Sequence, residues 1–378
     1  MTPKRMRLFT PGPVEIPERI LHVLGTPPPH HRTDGFRETL KHVLEKLRWI
    51  HGTEGEVFLL GASGTGAMEA ALVSTVPPGA RALAIAGGKF GERWASLLKA
   101  FGVAHDVLEV EWGAGVDPAE VARRLDHDPA LGFVFATQSE TSTGALHDVE
   151  TLARITRERG RRLVVDAVTG IGVHPLPQDQ WGVDVVVCGS QKGLMIPPGI
   201  ATVALAPWAK DLIEGPGLPR FYFDLRRYRK SAPLGETPFT PPVSLVLALE
   251  EALTMIEEEG LDEVHERHRR VALATRAGAK ALGFGLFPSS PSHAVTALTP
   301  PAGIETSAIV KRLRETHGMV IAGGQDRLKG KIVRIGHMGA YDLADIDALL
   351  LALEECVSAL GRPASGAVPA ARAAWDRA

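Results

Sequence analysis

Cysteine is scarce in this sequence, which has only Cys188 and Cys356 among its 378 residues. Two cysteines supply neither a disulfide framework nor a thiolate cluster for a metal, so we expect a reducing compartment, the cytoplasm, and no metal site. Long apolar runs are also missing, since none approaches the ~20 residues that a membrane-spanning helix needs. Charge of one sign is not in excess either, since the formal net charge is −2. The sequence therefore shows no excess of basic residues that would indicate binding to nucleic acid or to an anionic membrane.

The first residues lack the apolar segment of a secretory signal. Lys4, Arg5 and Arg7 are basic, but residues 10–13 (TPGP) follow them. What the sequence does have is 44% hydrophobic residues, over a length that suffices for one large domain and a small one. This composition is that of a soluble enzyme.

Short apolar runs alternate with amphipathic stretches through the first half of the chain. This alternation predicts an α/β fold in which a mainly parallel seven-stranded sheet has helices on both faces. We expect its strands at residues 57–60, 82–86, 106–110, 132–136, 163–166, 184–188 and 202–205. In such sheets, ligands bind at the carboxyl ends of the strands.

The pattern changes after Ala206. Residues 216–242, rich in Pro, Arg and aromatic residues, predict an ordered loop over the surface or a subunit interface. Further on we expect helices at 242–259, 261–282 and 343–360 and strands at 293–298 and 332–335, which together form a smaller α+β domain. The expected division is an N-terminal arm (1–20), a large domain (21–240), a small domain with a connecting helix (241–361) and a tail (362–378) to which we assign no structure.

Lys192 lies in a loop that otherwise contains Gly, Ser, Met, Ile and Pro, after an apolar strand. Burial there would disfavour the charged ammonium and lower its pKa, which makes the amine a nucleophile for an aldehyde. Most single lysines are surface residues, and alone this one would be interpreted in the same way. Asp166 changes the interpretation because it ends a second apolar strand at the same predicted sheet edge. Pyridoxal phosphate chemistry needs both groups, a lysine for the aldehyde and an anion that keeps the ring nitrogen protonated.

Residues 56–72 (EVFLLGASGTGAMEAAL) predict a strand, a tight turn and a helix. The three glycines of the turn permit close backbone approach, and Ser63 and Thr65 place hydroxyls where unpaired N–H groups and the helix dipole favour an anion. The segment has neither the Gly-Lys-Ser/Thr of a Walker loop nor the G-x-G-x-x-G spacing of dinucleotide sites. Alone, such a cluster more often indicates only a helix cap. Combined with the lysine and the aspartate, it predicts a phosphate cradle.

Together these residues resemble the fold-type I, class V pyridoxal-phosphate aminotransferases, in the branch of the alanine:glyoxylate and serine:glyoxylate (serine:pyruvate) enzymes. The resemblance extends from residues 10–13 (TPGP) to residues 334–337 (RIGH) and would make 21–240 the cofactor-binding domain. Its motifs are Ser63-Gly64-Thr65, residues 139–144 (SETSTG) as the family's E-[ST]-S-T-G segment, Asp166-Ala167-Val168 and Ser190-Gln191-Lys192.

The resemblance implies pyridoxal 5'-phosphate as the cofactor and Lys192 and Asp166 as the catalytic residues. The implied cofactor-binding residues are Ser63, Gly64, Thr65, Phe90, Thr141, Asp166, Val168, Gln191, Lys192 and Thr240. Phe90 would stack on the pyridine ring, Val168 would cover its other face, and Thr141 would bond its phenolic oxygen. Gln191 would contact the phosphate, and Thr240 would reach the phosphate of the neighbouring subunit in a homodimer. Arg334 would hold the substrate carboxylate.

Four positions depart from the animal members of the family. Phe90 replaces Trp, Thr65 replaces His, Thr141 replaces Ser, and Thr237 replaces a phosphate-binding Tyr. The first three preserve function in kind, since an aromatic face still stacks and a hydroxyl still donates.

The implied reaction is a ping-pong transamination between a small amino acid, alanine or serine, and glyoxylate or pyruvate. Monocarboxylates are preferred because no second arginine for a distal carboxylate is evident, although Arg32 and the arginines of 220–229 could enter the pocket. An aspartate or aminophosphonate aminotransferase of the same family is the alternative. A cysteine desulfurase-type lyase would need a nucleophilic cysteine on a loop, whereas Cys188 and Cys356 fall in a predicted strand and helix. A non-catalytic subunit is disfavoured by the complete set of cofactor contacts.

Overall fold

The computed structural model describes residues 6–378, so Lys4, Arg5 and the first part of the predicted arm lie outside the described residues. The strands are β1 (Arg7–Leu8), β2 (Glu56–Leu60), β3 (Arg81–Ala86), β4 (Ala104–Glu109), β5 (Leu131–Thr137), β6 (Ser139–Glu140), β7 (Ala145–Leu146), β8 (Arg162–Asp166), β9 (Val185–Gly189), β10 (Ala201–Leu205), β11 (Gly285–Leu286), β12 (Val295–Thr299), β13 (Met319–Val320), β14 (Ala322–Gly323) and β15 (Val333–Gly336). The α-helices are α1 (Glu18–Leu24), α2 (Asp34–His51), α3 (Gly64–Thr75), α4 (Lys89–Ala100), α5 (Pro118–His127), α6 (Val149–Glu158), α7 (Gln178–Trp181), α8 (Leu225–Ser231), α9 (Val243–Glu259), α10 (Leu261–Ala281), α11 (Thr306–Arg312), α12 (Leu343–Ala359) and α13 (Ala367–Arg377).

The central sheet has seven strands in the order β2-β10-β9-β8-β5-β3-β4. Neighbours from β9 to β4 are parallel, whereas β10 runs antiparallel to both β9 and β2. The predicted, mainly parallel seven-stranded sheet is therefore confirmed. Each predicted strand is present, and its ends agree with the structure to within two residues.

Helices cover both faces of this sheet. Alternate residues of a strand point to opposite faces, so Val57 and Leu59 join the core formed with α2, α5, α6 and α9, while Phe58 and Leu60 join the core formed with α3 and α4. Because both faces are buried, the strands are apolar almost throughout rather than alternating. This confirms the predicted helices on both faces.

The C-terminal part builds a second core around a four-stranded sheet with the order β11-β12-β15-β14. Helices α10, α11, α12 and α13 pack on it. The connecting helix α9 contributes Leu249 and Leu253 to the core of the large sheet, whereas Val271 and Ala274 of α10 belong to the small core. The predicted smaller α+β unit is therefore confirmed, and two successive helices join it to the large sheet.

Helix α13 occupies the tail to which the sequence analysis assigned no structure. Ala367 and Ala371 are buried where α13 packs against α10 and α12, and Arg372 pairs with Asp347 at 2.8 Å. The buried face is mainly alanine, so the apolar periodicity that identifies a helix is weak. Such a helix depends mostly on tertiary packing, which the sequence pattern does not display.

Candidate active site

A cavity of about 230 Å³ lies where the carboxyl ends of β2, β5, β8 and β9 meet at one edge of the central sheet. Its lining contains every predicted cofactor-binding residue except Thr240, namely Ser63, Gly64, Thr65, Phe90, Thr141, Asp166, Val168, Gln191 and Lys192. Gly12, Met68, Arg93, Ser139 and Thr169 complete the lining. Residues that are up to 180 positions apart in the sequence, such as Gly12 and Lys192, therefore converge at one point.

Lys192 follows β9 and is buried, with 7% of its surface exposed. Its Nζ donates a hydrogen bond to the carbonyl oxygen of Pro11. Burial lowers the pKa of Lys192 to about 8; Asp166 opposes this shift, while Arg334 and Arg93 add to it. The amine is thus far easier to deprotonate than that of a surface lysine, which is the property that a nucleophile for an aldehyde requires.

Gly12 lies in the N-terminal segment that covers the lysine. Its φ of +121° lies in the range that favours glycine, and a Cβ there would come within 2.5 Å of Lys192 Nζ. The segment is fastened to the small sheet because Gly336 N donates to Phe9 O at 2.8 Å. A glycine within the TPGP segment is therefore needed for close approach to the lysine.

Asp166 is the last residue of β8 and is buried, with 3% of its surface exposed. One carboxylate oxygen accepts a hydrogen bond from Val168 N at 2.9 Å, and the other has no hydrogen-bond partner within residues 6–378. Burial raises the pKa of Asp166 to about 6, and the Val168 N–H opposes this rise. A buried carboxylate with one oxygen to spare beside a cavity can bind a protonated ring nitrogen.

Phe90 lies in the first turn of α4, where Glu140 holds the helix N-terminus. The buried Glu140 carboxylate accepts hydrogen bonds from Phe90 N at 3.0 Å, Gly91 N at 2.9 Å and Ser142 N at 3.1 Å. Burial raises the pKa of Glu140, but these donors favour its charged form, as the N-terminus of a helix does. Glu140 thereby fixes Phe90 in the cavity wall, a role that the sequence motif alone did not reveal.

The N-terminus of α3 faces the same cavity. Ser63 is its N-cap and accepts from Gly66 N at 3.4 Å, while the N–H groups of Gly64 and Thr65 precede the first intrahelical bond and have no acceptor within the helix. A Cβ on Gly64 would lie 2.7 Å from Val168 Cγ2, so a side chain there would clash with Val168. Backbone N–H groups, two hydroxyls and a positive helix end can together hold an anion such as a phosphoryl group.

Gln191 contributes a polar group that the protein leaves unsatisfied. Its side-chain oxygen is buried and has no hydrogen-bond partner in the part of the chain that the structure describes. An unpaired buried amide oxygen costs about 1–3 kcal/mol, so a ligand that donates a hydrogen bond to it would offset this penalty. The amine, the carboxylate and the anion cradle, which line one cavity with Gln191, together fit pyridoxal 5'-phosphate.

Arg334 lies on β15, directly behind Thr141. Its Nε donates to Gly323 O at 3.0 Å and its Nη1 to Thr141 O at 2.9 Å, whereas Nη2 has no partner among the described residues. Burial lowers the pKa of Arg334 to about 10, and Glu140 opposes this shift. The Thr141 hydroxyl lies 2.7 Å from that of Thr169. The guanidinium is thus held on two sides with donors unused, although Arg334 itself is not part of the cavity lining.

Thr240 lies elsewhere. Together with Thr237 and Arg32 it lines a separate cavity of about 390 Å³. Within one chain, the structure therefore does not bring Thr240 to Lys192.

The arginines of the loop 220–229 do not line the lysine cavity in the described chain. Arg226 pairs with Asp224 at 2.8 Å, and Arg229 pairs with Glu56 and Glu214. The charges of Arg226 and Arg229 are therefore neutralised within the chain, and Arg227 stacks over the Phe221 ring. The expectation that one of them could enter the pocket is not supported.

Arg93 is a charged residue of the cavity lining that the sequence analysis missed. It lies one helical turn after Phe90, and its guanidinium carbon is 4.6 Å from the centre of the Phe90 ring. Its Nη1 donates to Thr65 Oγ1 at 2.9 Å. The available signal was the spacing, because residues three apart on a helix share a face and a predicted wall residue at Phe90 places Arg93 beside it.

The two cysteines are buried and unpaired. Burial raises the pKa of Cys188 to about 12 and that of Cys356 to about 11, so both thiols are poor nucleophiles. Within residues 6–378, no group of three His, Cys, Asp or Glu side chains could hold a metal ion. None of the helices described there is both long and apolar enough to cross a bilayer.

The sequence profile of the family described as Aminotransferase class-V matches residues 29–349. The chain belongs to the class V aminotransferases, and it is a pyridoxal-phosphate-dependent aminotransferase of fold type I, as the resemblance implied.

Individual relatives carry different names. A Synechococcus protein described as the small subunit of a soluble hydrogenase is 42% identical over 97% of both chains. The serine–glyoxylate aminotransferase of Methylorubrum extorquens is 35% identical over 92% of this chain and 89% of its own. The crystal structure of an aspartate aminotransferase from Thermus thermophilus superposes with a TM-score of 0.88 at 35% identity, covering 94% of this chain and 99% of the other.

Proposed function

We propose that this protein transfers the amino group of a small amino acid, alanine or serine, to glyoxylate or pyruvate with pyridoxal 5'-phosphate bound at Lys192. The observation that carries the proposal is the pairing of a buried amine with a buried carboxylate in one cavity, Lys192 with a pKa lowered to about 8 and Asp166 with a pKa raised to about 6. Opposite shifts of this kind are typical of catalytic acid and base groups.

Lys192 has two tasks in this proposal. When bound, pyridoxal phosphate supplies an electron sink that lets the amino-acid α-carbon lose a proton. Lys192 holds the aldehyde at rest and, once the amino donor displaces it, its neutral Nζ takes the proton from the α-carbon and delivers it to the former aldehyde carbon. Burial suits this role because it keeps the amine neutral over more of the pH range.

Asp166 holds a proton on the ring nitrogen. Its unpaired oxygen would accept from that nitrogen, and the resulting charge-assisted bond in a water-poor site keeps the ring cationic while negative charge builds up. Phe90 and Val168 would cover the two faces of the ring. Ser63, Gly64 and Thr65 would hold the phosphoryl group, and the side-chain NH2 group of Gln191 would donate a hydrogen bond to it.

Arg334 orients the substrate. Its free Nη2 and its fixed plane suit an α-carboxylate, and its anchoring to two carbonyl oxygens limits the conformations it can adopt. Two substrates would use this contact in turn, so ping-pong kinetics are expected.

The choice of substrate rests on similarity to known proteins. The serine–glyoxylate aminotransferase relative supports serine and glyoxylate. The Thermus aspartate aminotransferase supports the alternative, an aspartate enzyme, and an aminophosphonate donor is a further alternative. We also propose a homodimer with shared sites, in which Thr240 reaches the phosphoryl group of the neighbouring subunit. The two unpaired, buried cysteines support a cytoplasmic location.

The test is a half-reaction screen combined with mapping of the modified lysine. The protein loaded with pyridoxal 5'-phosphate is mixed with alanine, serine, aspartate or an aminophosphonate, and loss of the absorbance of the lysine-bound cofactor is followed. Borohydride reduction and mass spectrometry should place the pyridoxyl group on the Lys192 peptide. Lys192→Ala should lose that absorbance and nearly all turnover, whereas Lys210→Ala, at an exposed position, should behave as the wild type. Labelling of another lysine would refute the site, and faster reaction with aspartate than with alanine and serine would refute the preferred substrates.

A further inference from the structure

Arg93 is a cation of the cavity that no carboxylate neutralises. It makes one hydrogen bond in the described chain, to Thr65, and no acidic side chain lies within ion-pair distance of it there. Asp166 acts on it only at longer range. Arg226 and Arg229, which lie outside the cavity lining, are by contrast paired with carboxylates. An arginine left unpaired beside a cavity keeps most of its five N–H donors for an anion.

The phosphoryl cradle lacks a cation of its own. Ser63, Gly64 and Thr65 offer hydroxyls and N–H groups, and the end of α3 adds only about half a positive charge. A phosphate monoester carries roughly −1.5 to −2 charges near pH 7. Lys192 is the other cation of the lining, and its amine is committed to the aldehyde. Arg93 is therefore the charge that remains for the phosphoryl group.

The position of Arg93 agrees with this use. Its Nη1 lies 2.9 Å from Oγ1 of Thr65, the second residue of α3, so the guanidinium reaches the helix end where the unpaired N–H groups lie. The contact with the Phe90 ring, 4.6 Å from the guanidinium carbon, limits how the side chain can turn. Arg93 is thus anchored by two contacts with donors still unused.

We propose that Arg93 binds the phosphoryl group of the cofactor and supplies the main positive charge of the cradle from within the same chain. This inference rests on the proposed function, in which the cavity holds pyridoxal 5'-phosphate. It differs from the roles suggested by the family resemblance, which assign the phosphoryl contacts to neutral side chains, to the helix end and to a residue of the neighbouring subunit.

Two other roles for Arg93 make different predictions. If Arg93 bound the second carboxylate of a dicarboxylic substrate, its substitution would change the preference between amino acids without changing cofactor binding. If Arg93 only held Phe90 in position, its substitution would weaken binding of any compound that stacks on the Phe90 ring, with or without a phosphoryl group. A comparison of pyridoxal 5'-phosphate with pyridoxal separates these roles, because the two compounds differ only in the phosphoryl group.

The experiment measures the dissociation constants of both compounds by absorbance titration with the wild type, Arg93→Gln, Arg93→Lys and the control Lys99→Gln, an exposed position on the same helix. Loss of a charge-assisted hydrogen bond to a phosphoryl oxygen should raise the dissociation constant of pyridoxal 5'-phosphate about 10- to 100-fold in Arg93→Gln. Binding of pyridoxal should change less than about threefold, and Arg93→Lys should recover part of the loss because it keeps the charge. Thermal unfolding of each free protein shows that the variants are folded.

Three results would overturn the inference. Equal weakening of both compounds would assign Arg93 to the support of Phe90. Unchanged cofactor binding with selective loss of aspartate turnover would assign it to a substrate carboxylate, and no change in any readout would remove it from the site. The titration of the wild type distinguishes a failure of this inference from a failure of the proposed function. A wild-type protein that captures no pyridoxal 5'-phosphate at Lys192 would refute the cofactor site itself.

Discussion

At the scale of single residues, burial brings the pKa values of Lys192 and Asp166 closer together. Lys192 loses hydration and its pKa falls to about 8, and Asp166 loses hydration and its pKa rises to about 6. Each shift favours the neutral form of a group that water would keep charged. The Lys192 amine is thus suited to proton transfer close to neutral pH, whereas the Asp166 carboxylate, ionised above its pKa of about 6, is available to a protonated ring nitrogen.

The first prediction concerns the pH dependence of cofactor capture. Only the neutral amine attacks an aldehyde, and the neutral fraction grows as the pH rises through the pKa. Because the pKa of Lys192 is lowered from 10.5 to about 8, the rate of capture of pyridoxal 5'-phosphate should rise up to about pH 8 and level off above it. Stopped-flow absorbance over a pH series measures this. A rate that still climbs beyond pH 10 would indicate a lysine with an ordinary pKa.

Asp166 gives the second prediction. Removing one partner of a buried charge-assisted hydrogen bond costs on the order of 2–5 kcal/mol. Asp166→Ala should therefore weaken retention of the cofactor and slow the single-turnover half-reaction by orders of magnitude. Asp126→Ala, which removes an exposed carboxylate, is the control. Unchanged single-turnover rates in Asp166→Ala would refute the proposed ring-nitrogen contact.

Arg334 gives the third prediction. Lysine cannot reproduce the planar fork that binds a carboxylate with two parallel bonds. Arg334→Lys should keep the fold and the absorbance of the bound cofactor while lowering the specificity constants for amino acid and keto acid together, by about 1.5–3 kcal/mol. Steady-state kinetics with both substrates, beside the exposed control Arg154→Lys, provide the measurement. A loss confined to one substrate would contradict a shared carboxylate contact.

At the scale of elements, the sequence predicted what depends on local pattern. The buried strands of the central sheet are short, continuous apolar runs, because both faces of each strand are covered by helices. The antiparallel direction of β10 was not predictable, since apolar content is the same in either direction. Arg93 was missed although its spacing from Phe90 places both residues on one face of α4, because the local pattern alone does not show that this face lines a cavity.

Helix α13 gives an element-scale prediction, because its stability comes from packing rather than from a strong pattern. Its Trp375 ring lies 4.2 Å from the Arg270 guanidinium carbon, and Ala367 and Ala371 are buried against the small core. A chain that ends at Arg362 should unfold with about 2–4 kcal/mol less stability, as expected for loss of a modest apolar contact. Urea denaturation measures this, with Arg377→Ala at the exposed helix end as the control. An unchanged midpoint would show that the helix packs without stabilising the domain.

At the scale of the whole molecule, the lysine cavity and the cavity containing Thr240 are separate, and the protein surface near the second is aromatic. Phe221 is 65% exposed and Tyr222 is 38% exposed. Tyr222 stacks on Phe239 with ring centres 4.7 Å apart, beside Thr240. Exposed aromatic clusters of this kind mark contact surfaces. The proposed homodimer would cover this surface and explain why Thr240 lies away from the lysine of its own chain.

The last prediction follows from that arrangement. A charged residue in an aromatic contact surface is costly because it must be desolvated, so Phe221→Glu should shift the protein toward a monomer that retains pyridoxal 5'-phosphate poorly. Thr240→Ala should stay dimeric and lose only part of its cofactor affinity, about three- to tenfold, as expected for one neutral hydrogen bond. Light scattering at dilute concentration, with cofactor retention and activity measured on the same samples, distinguishes the two effects. A monomeric wild type with full activity would remove Thr240 from the site, because a residue that lies outside the lysine cavity of its own chain can reach a cofactor only across an interface.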